Sequence, residues 1–362
     1  MEQIYLTNIC RPKQWKTIST ADLYETGYPV YGANGKIGFY DKYTHEFPTV
    51  LITCRGATCG TINISDPKSY VNGNAMALDN LSEKYSLKYL YYVLIARGLN
   101  DVVSGSAQPQ ITRENLSKVK IPNPSLQTQQ KIAAILDKAD ELRQYNKQLI
   151  AKYDALTQSL FLDMFGDIKS NSKKWNLKPF EYFVKFDTRM TSDFVKYANH
   201  PHIGIANIEK ETGKLVNYKL ISEENLSSGK YIFDESHIIY SKIRPNLNKV
   251  ALPNFSGLCS ADSYPLKVIK ENSNRIFFAY VLRSDSFVDF ILTHSTRTNI
   301  PKANKEQMKK YTSIAPPLYL QNQFAERIQI IETQKQEAQE ALAKSEDLFQ
   351  GLLQQAFKGE LN

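Results

Sequence analysis

The densest run of side chains suited to a charged, hydrogen-bonding partner is Lys242-Ile-Arg244-Pro-Asn246-Leu-Asn248-Lys249. Arg and Lys suit guanine edges and phosphate, and Asn and Gln suit adenine edges. Similar residues lie on turns beside expected strands. In the first part of the chain these are Asn34, Lys36, Arg55, Thr58, Asn72, Asn74, Gln108, Gln110 and Arg113. Further on they are Arg189, Arg297, Thr298, Asn299 and Lys302. Loops on a rigid scaffold are where recognition residues usually sit. Taken singly, each is also an ordinary solvated turn residue. The clusters Gln108 to Arg113 and Arg297 to Lys302 carry more weight, because both lie just before a long helix.

Catalytic patterns are missing. Neither Gly35-Lys36, Gly213-Lys214 nor Gly229-Lys230 has a glycine five residues before its Gly, so there is no phosphate-cradling Walker loop. Gly32, Gly35 and Gly38 are spaced GxxGxxG, not as a dinucleotide fingerprint. There is no NPPY or DPPY tetrapeptide for amino methylation of a base, and no HExxH, CxxC or GxSxG. His200-Pro-His202 is half a metal site at most and reads better as a solvent-exposed loop. No catalytic site of standard type is expected, and no metal or cofactor on this chain.

The elements that must position these residues come from a long-period repeat. A shift of 192 residues puts Leu126 on Leu318, Gln129 on Gln321, Leu136 on Ile328, Leu156 on Leu348 and Phe165 on Phe357. No small-unit solenoid has so long a period. The chain is two copies of one large unit, each a globular part followed by a long helix. In the first helix the apolar positions Ile132, Ile135, Ala139, Leu142, Leu149, Tyr153, Leu156 and Leu160 are spaced three and four apart. That is a coiled-coil seam of about four heptads, with Asn146 as its one polar member. A single Asn in a seam usually sets register or partner number. In the second helix one column is Phe324, Ile331, Ala338, Ser345 and Leu352, and the other is Ile328, Lys335, Leu342 and Phe349. Each seam is the natural partner of the other, with the helices antiparallel and the globular units at opposite ends of a rod of roughly 60 Å. A separate chain binding the seam is the alternative.

The expected fold is α+β: two mixed α/β domains joined by two long helices that form an antiparallel coiled coil. The expected boundaries are 1–123, 124–167, 168–316 and 317–362, with Pro122 and Pro124 unable to sit inside the first helix. Composition agrees with a globular protein, at 42% hydrophobic and 23% charged residues. A net charge of +8 serves solubility or a polyanion partner. Cys10, Cys54, Cys59 and Cys259 form no framework, which fits a reducing cytoplasm. The opening residues are too polar for a signal peptide, and no apolar stretch approaches the roughly 18 residues of a membrane span.

Two variable globular units, each followed by a P-x-L-x-x-Q-x-x-[IF]-A helix start, resemble the specificity subunit of type I restriction–modification systems. GSAQPQI before Lys120-Ile-Pro122 is similar to the end of that family's target-recognition domains, and VYGANGKIGFYDKY to a common opening of the first. In the second unit STRTNIPK stands in place of GSAQPQIT. The resemblance implies a non-catalytic subunit that reads a split, asymmetric site in double-stranded DNA, one domain per half-site. It implies two modification subunits docked on the helices, carrying S-adenosylmethionine and methylating adenine N6. It also implies ATP- and Mg-dependent restriction subunits in the same complex. A free-standing DNA-binding regulator and a coiled-coil protein scaffold are the competing readings.

Overall fold

The structure, a computed structural model, describes residues 2–33, 35–105, 108–293 and 301–358. The chain forms two compact units, Met1–Leu149 with Ala338–Asn362, and Ile150–Glu337.

In unit 1, β1 (Gln3–Tyr5) pairs antiparallel with β9 (Lys120–Pro122). A four-stranded antiparallel sheet runs in the order β2 (Arg11–Gln14), β8 (Ala75–Asp79), β5 (Val50–Thr53), β6 (Ile62–Ile64). A smaller sheet places β3 (Tyr28–Gly32) between its hairpin partner β4 (Gly35–Tyr40) and the parallel β7 (Tyr70–Val71). Unit 2 repeats this plan. Its β10 (Leu177–Pro179) pairs with β20 (Thr312–Ile314), and its four-stranded sheet has the order β11 (Val184–Phe186), β19 (Ser263–Val268), β16 (His237–Ser241), β17 (Val250–Ala251). Its second sheet sets β13 (Pro201–Ile203) between antiparallel β14 (Lys219–Leu220) and parallel β18 (Gly257–Cys259), then adds β15 (Lys230–Phe233) and β12 (Met190–Thr191). The inner strands β5 and β16 are buried along their whole length, so their apolar residues, Val50 to Ile52 and Ile238 to Tyr240, run consecutively instead of alternating.

The helices follow the same duplication. α1 (Leu87–Arg97) starts at a Ser86 cap and stops at Gly98, whose φ of 67° suits glycine. α2 (Arg113–Ser117) is closed by a reciprocal Thr112–Asn115 capping box. After the long α3 (Leu126–Phe165) and the single turn α4 (Phe180–Phe183), α5 (Arg275–Arg283) begins at an Asn274 cap and is followed by α6 (Asp285–Thr293). α7 (Lys305–Lys309) carries the matching box, Asn304–Gln307, and α8 (Leu318–Lys358) is the second long helix.

One joint recurs in both units. Gln129 is buried in the first turn of α3. Its side-chain amide donates to the carbonyls of Pro124 (3.0 Å) and Lys84 (3.3 Å), and its Oε1 accepts from the Ser86 N–H at 3.0 Å. Gln321 does the same in α8, donating to Pro316 (2.8 Å) and Asn272 (3.5 Å) and accepting from the Asn274 N–H at 2.9 Å. Each glutamine thus ties the start of a long helix to the cap of the helix that closes the globular part. Replacing Gln321 by alanine leaves buried main-chain groups unpaired, and we expect a loss of about 1–3 kcal/mol. Urea unfolding checks this; a loss under about 0.5 kcal/mol would mean that water takes over the bonds.

The two long helices pack antiparallel inside each unit. In unit 1, Asn146 donates to the Ser345 hydroxyl at 3.3 Å with both side chains buried, and the Arg143 guanidinium lies 4.1 Å over the Phe349 ring. In unit 2, Tyr153 meets Gln334 at 3.2 Å, and Lys335 pairs with Asp154. The column of Ile132, Ala139, Asn146, Tyr153 and Leu160 turns toward this contact, as do Phe324, Ile328, Ile331, Leu342, Phe349 and Leu352, all buried or half-buried. The second apolar column of α3 does not. Ile135, Leu142 and Leu156 are 39%, 45% and 49% exposed, and Leu149 is half-buried. Their places against α8 go to Leu136, Arg143, Ile150 and Thr157, one residue further along. The reason is chemical: Arg143 stacks on Phe349 and is held by Asp140 at 2.7 Å, so a charged residue fills a seam position. The apolar residues beside it are left on the open face.

Candidate nucleic-acid interface

In unit 1 several loops meet at one end of the four-stranded sheet, where β5 ends and β8 begins. The Cys54 N–H donates to the Asn74 carbonyl at 3.0 Å, the Ile111 N–H to the Cys54 carbonyl at 3.0 Å, and the Gly56 N–H to the Pro109 carbonyl at 3.2 Å. Arg55 and Gln110 face each other as an isolated bridge. Thr58 reaches back through its hydroxyl to the Ala33 carbonyl at 3.0 Å, which draws the β3–β4 turn into the same cluster. Lys36, on that hairpin, lies 4.5 Å over the Phe39 ring. Arg55, Thr58, Asn74 and Gln108 are all exposed here, Gln110 is exposed beside them, and Arg113 is exposed at the start of α2. Asn34 lies outside the described residues. Asn72 does not join the surface: it is buried, its amide donating to the Ile18 carbonyl at 3.0 Å.

Unit 2 builds the same frame with other side chains. The Lys242 N–H donates to the Asp262 carbonyl at 3.1 Å, the Ala303 N–H to the Lys242 carbonyl at 2.8 Å, and the Arg244 N–H to the Pro301 carbonyl at 2.9 Å. Ile243 and Lys302 form the isolated bridge. Hydrogen bond by hydrogen bond, Cys54 corresponds to Lys242, Gly56 to Arg244, Asn74 to Asp262 and Gln110 to Lys302. Lys242 sits 5.0 Å over the Tyr264 ring, Lys305 lies 5.7 Å over the same ring, and Lys302 is 3.8 Å from Asp262. Burial lowers the Lys242 ammonium below its ordinary range, and the like charges of Lys302 and Lys305 lower it further against Asp262. An anion held here would relieve that repulsion.

The rest of the basic run divides. Arg244 and Asn246 are at the surface of the turn. Asn248 is tied to the Arg283 carbonyl at 2.7 Å and Lys249 to the Ile205 carbonyl at 2.8 Å, so both serve the turn itself. Arg189 is exposed but clamped by Asp187 through bonds of 2.6 and 3.0 Å. Burial pushes the Asp187 carboxyl up, yet hydrogen bonds from Arg189 and from the fully buried His237 outweigh it and hold it far below the carboxylate range. Arg297, Thr298 and Asn299 lie outside the described residues. Sequence reading missed Lys305, Tyr264 and Asp262 around Lys242; no spacing rule joins them, since three separate segments meet there.

Among the described residues no group of three or more His, Cys, Asp or Glu could hold a metal ion. His200-Pro-His202 is not the solvent-exposed loop its sequence suggests: His202 is buried in β13 and faces Glu224 at 2.8 Å, and His200, just before the strand, is half-buried. No described helix is long and apolar enough to cross a membrane. Among the described residues the site offers cations, amides and aromatic faces.

Comparison with known proteins agrees in fold and family. The family described as "Type I restriction modification DNA specificity domain" matches twice, over residues 1–153 and 173–343. The specificity subunit of the Escherichia coli type I restriction enzyme EcoDI is 25% identical over 406 residues, covering 97% of this chain and 89% of that protein. The MjaIX specificity subunit of Methanocaldococcus jannaschii is 23% identical, covering 88% and 81%. In fold, the chain is similar to the crystal structure of a type I restriction-modification S subunit from M. genitalium, with a TM-score of 0.68 at 13% identity over 98% of this chain and 96% of that one. The doubled match spans most of both repeats and so includes both loop frames: the chain belongs to the type I restriction modification DNA specificity family.

Proposed function

We propose that this chain reads a bipartite, asymmetric DNA site, with one globular part per half-site. As a member of its family it is a DNA-specificity subunit of a type I restriction–modification system, and its own role is recognition, not catalysis. The observation that carries the bipartite reading is the shared frame. The same main-chain hydrogen bonds recur in both units, while the side chains they present differ: Arg55, Asn74 and Gln110 in one, Arg244, Asp262 and Lys302 in the other. Identical scaffolds with different faces suit two half-sites of different sequence.

In this reading residues 1–123 and 168–316 are the readers, and the helices of 124–167 and 317–362 join them. The open apolar column Ile135, Leu142 and Leu156 on α3 supports docking of two modification subunits on the helices. Those subunits carry S-adenosylmethionine, and restriction subunits bring ATP and Mg. The complex works on chromosomal DNA in the cytoplasm.

The test is selection of sites from a random duplex pool by the assembled complex. Replacing Arg55 and Gln110 by alanine should relax one half-site, by about 1–3 kcal/mol for each base that is no longer read. The other half should be unchanged. If both halves degrade together, two independent readers are ruled out. Binding should also fall steeply with salt, because basic groups on the phosphates release counterions.

A further inference from the structure

Resting on the DNA-reading function above, we propose that Arg244 is a base-reading residue of unit 2, presenting its guanidinium to a guanine edge. It sits on a turn that glycine would form at less strain. Arg244 has φ 51° and ψ 66°, the left-handed region that disfavours long side chains and is otherwise left mainly to Gly, Asn and Asp. It also precedes Pro245, and a residue before proline is pushed toward extended backbone. Two constraints are therefore violated at one residue. The equivalent residue in unit 1, identified by the N–H that donates to a proline carbonyl, is Gly56 at φ 90°. So the frame demands a positive φ at this point, and unit 1 meets the demand with glycine. Unit 2 keeps a long cation there instead. Backbone strain of this kind concentrates at functional sites.

The surroundings fit a directional contact. The turn is stiff: the Leu247 N–H donates to the Arg244 carbonyl and the Asn248 N–H to the Pro245 carbonyl, each at 2.9 Å. Asn248 anchors it to Arg283 at 2.7 Å. The Arg244 side chain reaches the surface, and among the described residues no hydrogen bond or ion pair holds its guanidinium. A planar fork on a rigid base matches the O6 and N7 acceptors of guanine. A contact to phosphate needs no such placement, and Lys242, Lys302 and Lys305 already supply charge at the same edge.

The experiment uses the full chain assembled with its modification subunit and a pool of random duplexes, comparing wild type with Arg244→Gly and Arg244→Lys. Arg244→Gly should melt no lower than wild type. Its selected pool should lose preference for a G·C pair at one position of one half-site by about tenfold to a hundredfold, with the other half intact. Arg244→Lys should recover overall affinity for random DNA but not that preference. Unchanged preference in Arg244→Gly overturns the proposal. So does full recovery in Arg244→Lys, which would make the residue a phosphate contact. A wild-type complex with no site preference would instead overturn the DNA-reading function itself, and it shows before any variant is made.

Discussion

A complex whose specificity chain carries seven extra residues in each long helix will stop modifying the parental site. The insertions go between Leu149 and Ile150 in α3 and, opposite them, between Ala341 and Leu342 in α8. Seven residues preserve the heptad phase, so the packed columns stay in register. They lengthen each helix by about 10 Å at 1.5 Å per residue. At 3.4 Å per base pair that is about three base pairs. If the helices set the distance between the readers, one reader then misses its half-site and forfeits all base readout there. Two bidentate pairs alone are worth about 2–6 kcal/mol, so modification of the parental site should drop at least about thirtyfold. Sites recovered from a random pool should keep the parental half-sites around a longer spacer. An unchanged spacer would sink the role of the helices as a ruler.

Truncating Phe324 to alanine should cost unit 2 about 3–5 kcal/mol, the range for a buried Phe. Phe324 is fully buried and packs edge-on against Phe161, Phe165 and Tyr280, with ring centroids 5.5, 5.2 and 5.2 Å away. Its shape leaves a void that rigid neighbouring rings cannot close. Ile135→Ala is the contrast. Ile135 is apolar and sits in the same kind of helix, but it is exposed, so the change should stay within about 0.5 kcal/mol. Denaturant unfolding followed by circular dichroism separates the two. Equal losses would contradict the packing described for α3.

The architecture was legible because the repeat is carried by residues that hold the structure together. The match of Gln129 to Gln321 marks the joint. The α2 and α7 capping boxes also recur at the 192-residue shift, Thr112 on Asn304 and Asn115 on Gln307. Hydrophobicity was a poorer guide to the seam. It favoured Ile135, Leu142 and Leu156 because the residues that pack beside them include Arg143 and Thr157. The repeat held the better answer, since Leu136 aligns with the buried Ile328.

The proposed interface could be read from sequence by residue type but not by membership. Asn72, Asn248, Lys249 and Arg189 look like readers in sequence and are engaged within the fold. The equivalence of Gly56 and Arg244 was hidden for another reason. Their numbers differ by 188, whereas those of the proline carbonyls they bond, Pro109 and Pro301, differ by 192. Only the hydrogen bonds, not residue identity, align them.

The glutamine joint has an evolutionary consequence. Gln129 and Gln321 bond to main-chain groups of the preceding segments through Lys84, Ser86 and Pro124, or through Asn272, Asn274 and Pro316, with one side-chain bond added at Gln321 from the Ser273 hydroxyl. Such a joint is largely indifferent to which side chains lie upstream. A reading module from another gene could be spliced in ahead of either long helix and find the same socket. New specificities would then arise by recombination, with the helices unchanged so long as the module keeps the side chains that pack on them, such as Tyr92 against Asp137 and Tyr280 against Phe324.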